Sequence, residues 1–174
     1  MEEKSRSKDI CREKVFEKIF RTYAQDLKRF LYYKFKDLEA AEDVLQETFV
    51  KLWKNCHKVI FEKAKSYIYT VANNAFLDIK KHEKIVREHR QKAVRNIRIV
   101  DNPEFLYIEK EYLEKVEKAI DSLSEKQKTV FIMSRFEDKK YREIAEILNI
   151  SVKAVEKRMQ LALLNIKNQI GRKV

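Results

Sequence analysis

Side chains suited to reading DNA lie on one face of a segment near the C-terminus. Residues 141–167 read YREIAEILNISVKAVEKRMQLALLNIK, and their apolar residues recur at helical spacing on two successive stretches. The second stretch directs donors and an acceptor away from its apolar side: Lys153, Glu156, Lys157, Arg158 and Gln160. Arginine and lysine can bind guanine or phosphate, and glutamate can accept from the amino group of cytosine. We therefore expect this face to enter the major groove of DNA.

Two helices and a tight turn must hold that face in place. Ala145 offers a small residue between the helices, Asn149 tolerates the left-handed conformation that the turn needs, and Ser151 can cap the second helix. Arg142 and Ser151 complete the set of residues expected to bind DNA here. The pattern predicts a helix-turn-helix, although an ordinary helical hairpin with a solvated charged face would share part of it.

Composition favours an all-α protein that binds a polyanion. The chain has 174 residues, one glycine, one proline and a net charge of +11. So few backbone breakers favour helices joined by short polar turns. No apolar run reaches the roughly 18 residues of a transmembrane helix, and the N-terminus lacks the apolar core of a signal peptide. We expect a cytoplasmic protein.

A second cluster is acidic. Residues 37–47 hold five carboxylates and no basic residue. On the helix predicted for 38–55, Asp43, Gln46, Glu47 and Val50 share one face at spacings of three, four and seven. DNA binding does not explain an acidic face on a basic protein, so we expect a separate partner, unless the face is merely solvated.

The helical periodicity divides into two parts. Long helices are predicted at about 10–33, 38–55 and 66–90, with a loop or short turn at 55–65. Periodicity weakens beyond residue 90, and Pro103 disfavours helix before it. We predict an N-terminal domain at 10–90, a linker at 91–104 and a C-terminal domain at 105–172.

The sequence offers no catalytic or metal-binding constellation. Cys56 and His57 are neighbours, but His82 and His89 are far along the chain and do not give zinc-ligand spacing. Cys11 and Cys56 do not make a disulfide framework, and we expect a cytosolic chain to keep both reduced. We therefore predict a binding protein that is not an enzyme and has no cofactor or small-molecule substrate.

Three stretches together resemble one family. DVLQETFVKLW (43–53), SYIYTVANNAFLDIKK (66–81) and IDSLSEKQKTVFIMSRFEDKKYREIAEIL (120–148) resemble bacterial RNA polymerase sigma factors of the sigma-70 family. Their order and spacing in a short chain are typical of the extracytoplasmic-function (ECF) group. The resemblance implies a three- to four-helix region-2 domain and a four-helix region-4 domain with the helix-turn-helix.

The resemblance also implies roles for the two clusters. The face of Asp43, Gln46, Glu47 and Val50 would dock on the clamp coiled coil of core RNA polymerase. The helix-turn-helix would read the −35 promoter element. A third set would bind and help to melt the −10 element, where an unstacked base must find polar partners: Phe61, Lys65, Tyr69, Asn73, Asn74, Lys80, Lys81 and Lys84. An anti-sigma factor, often one that spans the membrane, is a further implied partner.

Two other hypotheses remain open on the sequence. One is a stand-alone, dimeric DNA-binding regulator whose N-terminal helices sense a signal or dimerise. The other is a helical nucleic-acid-processing enzyme, against which the lack of a carboxylate or histidine cluster counts. The acidic face separates the sigma-factor hypothesis from the regulator hypothesis, because a repressor has no need of it.

Overall fold

The computed structural model describes residues 9–91 and 107–171, which form helices and turns without a strand. The predicted all-α fold class is confirmed. Seven α-helices lie in these ranges: α1 (Glu13–Phe35), α2 (Leu38–Lys54), α3 (Ala64–Gln91), α4 (Tyr107–Asp121), α5 (Glu125–Arg135), α6 (Tyr141–Leu148) and α7 (Val152–Ile170). The predicted linker, 91–104, lies outside the described residues except for its first residue.

The N-terminal unit consists of α1, α2 and α3. Residues of α1 at helical spacing, among them Leu27 and Phe30, are fully buried against the other two helices. Lys36 ends α1 in the left-handed conformation, and Asp37 then caps α2 by accepting from the amides of Glu39 and Ala40. Two short 3-10 turns, Cys56–Lys58 and Phe61–Lys63, occupy the segment for which a loop or short turn was predicted.

The C-terminal unit consists of α4 to α7. The side chain of Gln127 accepts from the backbone amide of Ser124 at 3.1 Å, which fixes the start of α5. Asn149 ends α6 with φ 51°, and the Ser151 hydroxyl accepts from the Ala154 amide at 3.1 Å at the start of α7. The helix-turn-helix geometry expected from Asn149 and Ser151 is therefore present.

The two units pack against each other around one continuous core. The rings of Tyr33 and Phe136 stack across the contact with their centroids 4.2 Å apart. The Ser66 hydroxyl donates to the carbonyl of Ile147 at 2.6 Å. We call this arrangement the closed form. Among the described residues, no helix has both the length and the apolar character needed to cross a membrane.

Candidate nucleic-acid interface

Helix α7 presents the predicted DNA-reading face to solvent. Lys153, Glu156, Lys157 and Gln160 are exposed, and Arg158 is half-buried. On the opposite side, the buried Val155, Met159 and Ala162 pack into the core. Because the apolar stripe fixes the rotation of the helix, the polar face is held outward without contacts of its own.

Arg142 and Ser151 lie beside a cleft between the two units. The cleft has a volume of about 730 Å³, and Lys65 and Ser66 of α3 lie on its other side. Arg142 is exposed, whereas the Ser151 hydroxyl is engaged in capping α7. In the closed form the start of the expected −35 reading helix thus faces the start of the helix expected to bind the −10 element.

Helix α2 presents the acidic face as expected from its spacing. Asp43, Gln46, Glu47 and Val50 are all exposed, and Val50 has 49% of its surface accessible. Glu47 forms an ion pair with Lys51 one turn later, with 2.8 Å between Oε1 and Nζ. The structure therefore brings the four residues together on one accessible surface.

The residues predicted to bind the −10 element do not form one accessible surface in the closed form. Asn74, Lys80 and Lys81 are exposed, whereas Phe61, Lys65 and Asn73 are half-buried and Tyr69 is fully buried. The backbone of Lys84 lies in α3, and its side chain is outside the described part of the chain. Asn73 and Tyr69 form hydrogen bonds with residues of the C-terminal unit, and Lys65 lines the cleft between the two units.

A buried lysine forms a hydrogen bond with the side-chain amide oxygen of Asn73. Lys34 is 2% exposed, and its Nζ donates to Asn73 Oδ1 at 2.7 Å and to Thr129 Oγ1 at 3.0 Å. The same Nζ lies 3.0 Å from a carboxylate oxygen of Glu125 and 4.4 Å from the ring centroid of Phe76. Burial lowers the pKa of Lys34, and the charge of Glu125 opposes that shift. This lysine therefore joins both units at the expected base-binding position.

A buried carboxylate accepts a hydrogen bond from the hydroxyl of Tyr69 in a similar way. The Tyr69 hydroxyl donates to Glu137 Oε1 at 3.0 Å, and Lys139 Nζ lies 3.4 Å from the same oxygen. Burial raises the pKa of Glu137 to about 7, although Lys139 and Tyr69 act in the opposite direction. Lys139 also contacts Asp26 of α1 at 3.3 Å, so this cluster too connects the two units.

Several residues at these positions were missed or wrongly placed from the sequence. Lys34 and Thr129 carried no signal beyond polar positions on amphipathic helices, and Glu137 lies in the turn after α5. Trp53, which lies on an amphipathic helix beside the apolar stripe, is 45% exposed and contacts Phe16 edge-on at the surface. Cys11 and Cys56 were expected to be reduced, yet the structure joins them as a disulfide. The reason is that the turn before α1 packs against the turn after α2, which brings together residues 45 positions apart.

Comparisons with known proteins agree with both units. The family model "Sigma-70 region 2" matches residues 19–85, and "Sigma-70, region 4" matches residues 113–166. The ECF RNA polymerase sigma factor SigM of Bacillus subtilis is 40% identical over 73 residues, which are 41% of this chain and 45% of SigM. The RNA polymerase sigma factor YlaC of the same organism is 25% identical over 159 residues, covering 88% of this chain and 91% of YlaC.

A solved structure shares the fold across both units. It is the sigma factor RpoE in complex with the anti-sigma factor NepR from Bartonella quintana. The TM-score is 0.63 at 16% identity, with 91% of this chain and 98% of that chain covered. Two family models in the expected order, ECF relatives and this fold agree with the motifs at 43–53, 66–81 and 120–148, and the chain therefore belongs to the sigma-70 family of RNA polymerase sigma factors, in its ECF group.

Proposed function

We propose that this sigma factor binds core RNA polymerase through α2, directs it to promoters with −35 and −10 elements, and assists melting of the −10 element. The observation that carries the proposal is the pairing of two surfaces on one chain. An acidic, accessible face on α2 and a basic reading face on α7 are held by rigid helices in separate units. A repressor would need only the second surface.

The acidic face fits a basic partner surface. Asp43, Gln46 and Glu47 provide two carboxylates and an amide within about one turn of helix, and Val50 adds an apolar contact at the end of the row. Opposite charges steer association and fix orientation, while a central apolar contact adds affinity. These properties suit the basic coiled coil of the polymerase clamp.

The closed form implies that binding to the −10 element requires the units to separate. Asn73 has its amide oxygen occupied by Lys34 and Thr129, and Tyr69 has its hydroxyl occupied by Glu137. A flipped base needs such groups for its own polar edge and ring. We infer that polymerase favours the open form because it holds the two units apart.

An anti-sigma factor is the proposed inhibitor. The sigma factor RpoE, with which this chain shares its fold, was solved in complex with the anti-sigma factor NepR. A partner that bound this chain in the closed form would keep the −10 residues covered. The α2 face and the α7 face are both accessible for such a partner.

Transcription from a library of randomised promoters tests the proposal. Purified core polymerase is supplied with or without the protein, and transcripts are sequenced. Transcripts that depend on the protein and share two spaced elements support a promoter-directing sigma factor. Absence of both core binding and transcription would contradict it.

A charge reversal tests the polymerase surface separately. We expect Asp43→Lys to reduce core-polymerase affinity by at least about tenfold, because it places like charge against a basic surface. Glu17→Lys is the matched control, since Glu17 is an exposed carboxylate on α1 in a surface ion pair with Arg21. Affinity measured by fluorescence anisotropy should fall only for Asp43→Lys. An equal loss in both variants would show a general charge effect.

A further inference from the structure

A cluster of two sulfurs and one imidazole lies outside the surfaces described so far. Cys11 belongs to the turn before α1, and Cys56 and His57 belong to the 3-10 turn after α2. The Nδ1 atom of His57 lies 3.4 Å from Cys11 Sγ and 3.5 Å from Cys56 Sγ. Three potential metal ligands therefore meet within 4.8 Å of one another.

The backbone holds these residues together independently of the bond between the sulfurs. Ile10, next to Cys11, is 1% exposed and anchors the N-terminal turn in the core. The Cys11 amide donates to Asp9 Oδ1 at 3.0 Å, which tightens that turn. On the other side, Asn55 donates through its side chain to the Lys51 carbonyl at 2.9 Å and ends α2 just before Cys56. Reduction would therefore leave the two thiols facing each other.

We propose that Cys11, Cys56 and His57 form a redox-controlled zinc site. Zinc is bound by thiolate sulfur at about 2.3 Å and by imidazole nitrogen at about 2.0 to 2.1 Å, with tetrahedral angles. Those values place a sulfur and a nitrogen ligand about 3.5 Å apart, and two sulfur ligands about 3.8 Å apart. In the disulfide-bonded form, His57 Nδ1 lies 3.4 Å and 3.5 Å from the two sulfurs, close to the first of these values. With the Cα atoms 5.0 Å apart, rotation about the Cα–Cβ bonds of the reduced cysteines supplies the sulfur separation.

The site has three protein ligands and an open fourth position. His57 is exposed, Cys11 is half-buried and Cys56 is buried, so water can reach the metal from the side of His57. An open position is typical of zinc that exchanges ligands, in contrast to the closed four-ligand sites that only support a fold. A zinc ion bound by these three ligands would thus be accessible and exchangeable.

Oxidation would empty the site. The co-reactant is a low-molecular-weight disulfide, which accepts two electrons. The more accessible Cys11 thiolate attacks it, forms a mixed disulfide and releases one thiolate. The Cys56 thiolate then attacks the Cys11 sulfur, which forms the Cys11–Cys56 bond and releases the second thiolate. Both sulfur ligands are then consumed, and Zn²⁺ leaves.

Zinc titration of the full chain tests the site. The reduced protein competes for Zn²⁺ against a chromophoric chelator, and Co²⁺ in place of zinc reports tetrahedral thiolate ligands by its visible spectrum. We expect one zinc per chain and a fall in affinity of at least about tenfold for His57→Ala and for Cys11→Ser, since loss of a group that merely supports a ligand costs that much. His82→Ala, which removes an exposed histidine on α3, is the matched control and should bind zinc as the parent does.

The oxidation step has its own readout. Oxidised glutathione is added to the zinc-loaded protein, and released zinc, free thiols and protein mass are followed together. One zinc released for every two thiols lost, with a mass lower by two hydrogens, supports the proposal. Less than stoichiometric zinc in the reduced chain, equal affinity in His57→Ala, or zinc retained after the disulfide has formed would overturn it. Because His57 is exposed, His57→Ala tests the site without removing a buried side chain.

Discussion

Glu125→Gln is predicted to open the closed form. Glu125 supplies the negative charge that lies 3.0 Å from the buried ammonium of Lys34. Glutamine keeps the size and an acceptor oxygen but removes the charge. In the closed form Lys34 would then remain buried without a counter-charge, whereas in the open form water would solvate it. The substitution therefore penalises the closed form alone.

The magnitude follows from the burial of the two partners. Breaking a fully buried ion pair costs about 3 to 5 kcal/mol. The Glu125 side chain is 40% exposed while that of Lys34 is fully buried, so solvent screening reduces the cost to about 1 to 2 kcal/mol. At about 1.4 kcal/mol per factor of ten, the ratio of open to closed molecules should rise about 5- to 30-fold. Any effect of the lost charge on the α5 dipole acts in both forms and cancels in this ratio.

Single-molecule fluorescence can count the two forms directly. Dyes would be attached to cysteines placed at the exposed positions Lys18 on α1 and Lys126 on α5, with Cys11 and Cys56 replaced by serine. Glu117→Gln is the matched control, because Glu117 is 66% exposed and lies 4.0 Å from Lys36 across the same contact. We expect the control to change the free energy of closing by about 0.5 kcal/mol or less. Equal open fractions in the two variants would refute the reasoning that Glu125 neutralises a buried charge.

Two further predictions concern Glu137 and Ser151. The closed form raises the pKa of Glu137 to about 7 from 4.5, so it takes up a proton on closing. Its contribution is full below about pH 4.5, and up to about 3 kcal/mol is lost as pH rises to 7. The open fraction should rise over that window, and Glu137→Gln should flatten the rise; an unchanged profile would contradict the assignment. Ser151→Ala should lower the free energy of unfolding by about 1 kcal/mol in urea denaturation, whereas Ser151→Asn should retain the cap; equal losses would argue against capping.

The helices were predictable because their apolar spacing is regular and their ends are marked. Helix α6 ends at Leu148, and Asn149 and Ser151 adopt the predicted turn and cap. These features depend on residues within one turn of each other. The exposed face of Asp43, Gln46, Glu47 and Val50 followed from the same local periodicity.

Contacts between distant parts of the chain were not predictable in this way. Whether the two units pack together depends on pairs such as Lys34 with Glu125 and Tyr69 with Glu137, whose members lie far apart in sequence. A lysine on an amphipathic helix is usually solvated, so no sequence pattern predicted that Lys34 would be buried. The pairing of Cys11 with Cys56 was missed for the same reason, since it depends on how two turns meet.

If Asn73 binds a flipped base as proposed, its contact with Lys34 makes the protein its own competitor for single-stranded nucleic acid. A chain with a net charge of +11 attracts polyanions in either form, so the contact at Asn73 acts on binding to this position and not on the general attraction. While the amide oxygen of Asn73 is bound to Lys34, a single strand must displace an intramolecular partner that never diffuses away. The apparent affinity for a single strand at this position is therefore the intrinsic affinity multiplied by the fraction of molecules in the open form. The free factor would thus be protected from capture by stray single strands and remain available to polymerase.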